Sequence, residues 1–127
     1  MKRFLILLVC AVLLWTTACA KQPVTADTVA GKTYVWEKDG FGGDFTVTLK
    51  KDGTYEYYEG YLSSYIGRGS WTLENGVLTL FETGGRLSTF RFAVKDGALV
   101  YLADGSDAFL YTQVEDGDRF IGREETP

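Results

Sequence analysis

Histidine is absent from this chain, which closes most routes to catalysis in the neutral range, because no remaining side chain has an unperturbed pKa there. His-dependent zinc and copper sites and the Ser-His-Asp arrangement go with it. A carboxylate pair could still serve a glycosidase, but the 17 acidic residues fall mostly in turn motifs or at expected strand ends. Asp104-Gly105-Ser106-Asp107 and Glu115-Asp116-Gly117-Asp118 have the composition of calcium loops, yet neither follows the EF-hand spacing, and Asp-Gly and Gly-Asp are ordinary turn formers. Gly40-Phe41-Gly42-Gly43 lacks the lysine and hydroxyl residue of a phosphate loop and reads as a flexible turn that projects Phe41. The chain is therefore read as a non-enzyme with no cofactor.

The side chains best suited to recognition lie in Glu56–Ser70, which holds Tyr57, Tyr58, Tyr61 and Tyr65 and the longest non-alternating interval of the folded region. Tyrosine offers a rigid ring with a polar handle, the usual material of contact loops. Phe41, Tyr58, Tyr61, Tyr65 and Trp36 are the candidate binding residues. The competing structural reading puts Tyr55 and Tyr57 in the core and uses Tyr61 and Tyr65 to clamp a wide turn.

The N-terminus addresses the chain. Lys2 and Arg3 precede an apolar run from Phe4 to Trp15, followed by Thr16-Thr17-Ala18-Cys19, the n-region, h-region and processing region of an export signal. That run is about a dozen residues, against about 20 for a bilayer-spanning helix. Thr16-Thr17-Ala18-Cys19 resembles a bacterial lipobox, with Thr16 where leucine is usual. The resemblance implies that Cys19 receives a diacylglycerol thioether with palmitate-type acyl chains and becomes the first residue of the mature protein. A non-lipidated signal cut after Ala18 or Ala20 is the alternative. Each buried methylene contributes about 0.8 kcal/mol, so two or more chains anchor stably.

Removing Lys2 and Arg3 with the signal leaves 11 basic against 17 acidic residues, a net charge of −6. That balance argues against nucleic acid as a partner and against direct attraction to anionic headgroups. With both cysteines committed to export, no intramolecular disulfide is expected, and stability must come from a packed core. The expected organisation is a signal peptide at 1–18, a lipidated tether at 19–30 with an ordered turn near Thr28 as an alternative, one β domain at 31–122 and a disordered tail at 123–127.

From residue 31 the apolar pattern has period two and is punctuated by glycine, the signature of hairpins. It predicts strands at 32–37, 44–50, 53–59, 67–74, 77–82, 87–95, 98–103 and 107–114. Phe45, Val47 and Leu49 share one face, as do Tyr55 and Tyr57, Trp71 and Leu73, Leu78 and Leu80, and Phe90, Phe92 and Val94, whereas Arg91 should face outward. Asp52-Gly53, Asn75-Gly76 and Asp96-Gly97 specify tight hairpins. Such a meander leaves two unpaired edges unless it closes, so the expected fold is all-β, an antiparallel up-and-down meander of about eight strands forming a small barrel. Phe120 and Ile121 are expected to fold back over a barrel end.

The order Gly31-x-x-Tyr34-x-Trp36, Gly43-x-Phe45-x-Val47-x-Leu49-x-x-Asp52-Gly53-Thr54-Tyr55, Gly67-x-Gly69-x-Trp71-x-Leu73 and Leu78-x-Leu80 resembles small lipocalin-like bacterial lipoprotein domains. The resemblance implies an eight-stranded barrel outside the cytoplasmic membrane, with Trp36 and Trp71 structural and no catalytic residue. The expectation is a non-enzymatic, membrane-tethered protein of the bacterial cell envelope. It would sit in the outer membrane where there are two, otherwise on the outer face of the cytoplasmic membrane, and bind an envelope protein or glycan through the Tyr-rich loop. A lipocalin-like carrier, with a small apolar ligand entering between Tyr61, Tyr65 and Trp36, is the alternative.

Overall fold

The computed structural model describes residues 24–38, 44–60 and 63–124. The signal segment, Cys19, Phe41 and Tyr61 lie outside the described residues. Eight antiparallel strands run in sequence order around a closed barrel. They are β1 (Lys32–Trp36), β2 (Thr46–Leu49), β3 (Thr54–Tyr58), β4 (Ile66–Glu74), β5 (Val77–Glu82), β6 (Ser88–Lys95), β7 (Ala98–Leu102) and β8 (Arg119–Glu124), with one helical turn, α1 (Ala26–Val29), before β1. At this level the likeness to lipocalin-like domains holds.

The two ends of the barrel differ. At one end, Asn75-Gly76 and Asp96-Gly97 reverse the chain with φ of 51° and 75°, and 50° and 76°, the doubly positive pattern that matches the twist of a two-residue hairpin. The Lys50–Gly53 turn shares that end, with the Asp52 carboxylate accepting from the Thr54 amide at 2.9 Å. α1 closes the same end, where Val29 is buried and the Tyr34 hydroxyl donates to its carbonyl at 3.0 Å. Burial pushes the Tyr34 pKa up to about 12, so the hydroxyl keeps its proton for that bond. Residues 26–30, expected in the tether, thus belong to the fold, and the alternative of a turn at Thr28 is the one found, with the Thr28 hydroxyl donating to the Thr25 carbonyl at 2.7 Å.

The eighth strand is not 107–114. Asp107-Ala-Phe109-Leu-Tyr111 imitates a strand pattern, but the place between β7 and β1 is taken by Arg119–Glu124, which pairs with both neighbours and sets Phe120 opposite Trp36 and Leu99. Phe120 and Ile121 are ladder residues rather than an end cover, and Arg123 and Glu124 pair with Thr33 and Lys32 instead of fraying. Residues 103–118 are left as one long connection at the other end of the barrel.

The inward faces fill the barrel with rings. Phe45, Tyr57, Phe90, Phe92, Tyr101 and Phe120 are all buried, and Phe109 joins them from the long connection. Phe120 makes edge contacts with Phe45 at 5.1 Å and with Phe92 at 5.5 Å between centroids, the arrangement that the ring quadrupoles favour. Phe120→Ala should lower the unfolding free energy by about 3–5 kcal/mol, read from urea denaturation, because rings packed this rigidly cannot collapse into the void.

Candidate functional site

The connections 37–45, 59–65, 83–87 and 103–118 all emerge at the end opposite α1 and the tight turns. The last of these crosses the mouth. It leaves β7 alongside β6, where the Asp107 amide donates to the Thr89 carbonyl at 2.8 Å and its carboxylate accepts from the Thr89 amide at 2.8 Å. Phe109 then drops into the barrel, stacked on Phe90 at 4.1 Å and edge-on to Phe45 at 4.9 Å.

Beyond Phe109 the chain is held by a carboxylate. Glu59, just past β3 and only 8% exposed, accepts from three successive amides, Leu110 at 3.2 Å, Tyr111 at 3.0 Å and Thr112 at 2.8 Å. A buried carboxylate is tolerated where it is well hydrogen-bonded, and these charge-assisted bonds turn the backbone of 110–112 toward the barrel. The side chains are left outside, with Tyr111 67% and Leu110 42% exposed. On the neighbouring connection Leu87 is 86% exposed, and Arg86 beside it donates to the Ala108 carbonyl, tying the two connections together.

The candidate binding residues divide. Tyr58 is half-buried on β3, paired with Thr46 and Ile66. Trp36 is half-buried, its ring 6.2 Å from Phe45 and 6.5 Å from Phe120. Tyr65 turns inward, its ring 6.3 Å from Tyr57 and its hydroxyl buried. Phe41 and Tyr61 lie outside the described residues. Leu87, Leu110 and Tyr111 were not singled out from the sequence, and Glu59 only as part of the Tyr-rich segment. The run Phe109-Leu110-Tyr111, three consecutive apolar residues, is the signal that could have marked Leu110 and Tyr111.

Three of the five carboxylates in the two acidic stretches bond to backbone amides. Asp107 holds Thr89, Asp116 accepts from the Ala103 amide at 2.9 Å, and Asp118 accepts from the Glu115 amide at 2.9 Å while pairing with Lys38 at 2.8 Å. Burial would raise the Asp118 pKa, but the Lys38 and Glu115 bonds outweigh it and hold the carboxyl below its usual value. On the outer wall, a recess of about 430 Å³ between β3 and β4 contains Lys50 and Arg68, both already 3.2 Å from one Glu56 oxygen.

Glu59→Ala should release the connection, with faster amide hydrogen exchange at 110–112 and protease cleavage between 104 and 116 that the parent resists. Asp118 has its folded pKa below the unfolded value of 3.8, so its stabilisation is complete above that pH and is lost as pH falls through the lowered folded value. Asp118→Asn should therefore lower the urea midpoint at neutral pH and converge on the parent only once the pH falls below the lowered folded pKa.

Compared with known proteins, the chain matches no family model, and no curated protein and no solved structure is significantly similar to it.

Proposed function

We propose that this chain is a non-enzymatic protein of the bacterial cell envelope, tethered by lipid on Cys19, that uses the loop end of its barrel to bind a protein partner. The observation that carries the reading is the pairing of a buried anchor with exposed apolar side chains. Glu59 is desolvated to hold a backbone segment whose outward residues are Leu110 and Tyr111, with Leu87 on the tied neighbouring connection. Exposed leucines beside a tyrosine are unfavourable in water and suit a protein surface better than the hydroxyl-rich face of a glycan.

Polarity of the fold supports the tether. The chain enters through α1 at the end of the tight turns, so a lipid on Cys19 would leave the four long connections facing away from the bilayer. The carrier reading loses ground, because it needs an apolar cavity on the order of 300 Å³ inside the barrel, and the described interior is occupied by the protein's own rings.

Photo-crosslinking in the native host tests this. A crosslinker at position 87 or 111 should trap a discrete partner, one at position 96 should not, and Leu87→Ser with Tyr111→Ser should abolish the adduct. Cys19→Ala should move the protein from the membrane to the soluble fraction. Equal labelling from position 96, or no adduct from the loop end, overturns the docking reading, and an unchanged membrane fraction overturns the tether.

A further inference from the structure

Glu82 is the second buried carboxylate, and it is not used by the loop end. Its side chain is fully buried near the end of β5. One oxygen, Oε1, accepts from the Tyr57 hydroxyl. Tyr57 reaches it by lying across Gly67 of β4, where a Cβ would stand 1.9 Å from the ring. The other oxygen, Oε2, lies 3.3 Å from the Arg86 Nε but takes no hydrogen bond from it, because Nε donates to the Ser88 hydroxyl at 2.7 Å.

Two hydroxyls in the same wall share that condition. Tyr55, Gly69 and Glu82 are consecutive partners across β3, β4 and β5, with no side chain at the middle position to separate the outer two. Only glycine fits there, since a Cβ would meet the Phe81 carbonyl at 1.8 Å. Tyr65 comes in from the 59–65 connection, its ring on Tyr57 and its hydroxyl against Gly85, where a Cβ would come within 2.8 Å. Among the described residues, Glu82 Oε2, the Tyr55 hydroxyl and the Tyr65 hydroxyl are all buried without a hydrogen-bond partner. Burial above all, with the nearby Glu82 and Tyr65, raises the Tyr55 pKa, so that hydroxyl stays protonated.

Three buried polar atoms in the same part of the wall, each short of a hydrogen bond, are costly unless something joins them. The occupant must donate to a carboxylate oxygen and exchange bonds with two hydroxyls that each donate or accept. It must also be neutral, because Arg86 already balances Glu82 and a further cation would leave excess charge in a desolvated wall. Water has two donors and two acceptors and meets both demands. We propose that Tyr55, Tyr65 and Glu82 form a binding site for one internal water molecule, which completes the network begun by Tyr57 and Arg86 and pins the 59–65 connection to the barrel wall.

Substitution tests the site through the sign of its effect. If water bridges the hydroxyls, Tyr55→Phe and Tyr65→Phe should each raise the unfolding equilibrium constant about five-fold. The double variant should lose less than the product of the two, since both address the same molecule. A neutral or stabilising effect of either single variant overturns the proposal, because deleting a truly unpartnered buried hydroxyl relieves a cost. A high-resolution crystal structure of the parent should show a single-atom peak within hydrogen-bond distance of all three oxygens. An absent peak, or one of several atoms, overturns water as the occupant.

Discussion

Phe109 lies flat on Phe90 inside the barrel, yet it belongs to the connection between β7 and β8 rather than to a strand. An eight-stranded barrel must be filled by its own side chains, and the inward-facing strand residues alone do not complete this one. Phe109 supplies the missing ring, touching Phe45, Tyr57, Phe90 and Tyr101 at once. The segment that carries it is thereby committed to the mouth. The position of Glu59, the exposure of Leu110 and Tyr111 and the course of the chain into β8 all follow from that commitment.

Two buried carboxylates then do different jobs. Glu59 neutralises a turn of backbone whose amides would otherwise face the core unpaired. Glu82 sits in the wall, reached by a tyrosine that crosses a strand through the gap at Gly67. Both depend on desolvated charge meeting close donors, a condition that makes such groups strongly position-specific. Glu59 thereby fixes the 103–118 connection at its end, while the opposite end needs only short turns and α1.

That asymmetry is what gives the barrel a direction. Short turns and the chain entry share one end, and the long connections with their exposed apolar residues share the other. Closure of β8 onto β1 leaves no unpaired edge among the described strands, so recognition by strand addition is not on offer and the loop end is where a partner would meet side chains.

The period-two alternation and the three Gly-containing turns were sufficient to define the meander through β7, because side-chain direction in a strand and φ above zero in a tight turn are local properties of the chain. Gly67 and Gly69 were visible as a motif, but their purpose was not, since it depends on Tyr57 and Phe81 in other strands. The strand-like stretch at 107–114 and the true strand at 119–124 are both apolar and short, and local pattern does not rank them. Only the closed barrel does so, by offering one place beside β1 and one ring-sized space inside. The inward turn of Tyr65 and the outward turn of Tyr111 were settled in the same way. Alternation assigns a residue to a face, whereas the filling of a finite interior decides which faces become core.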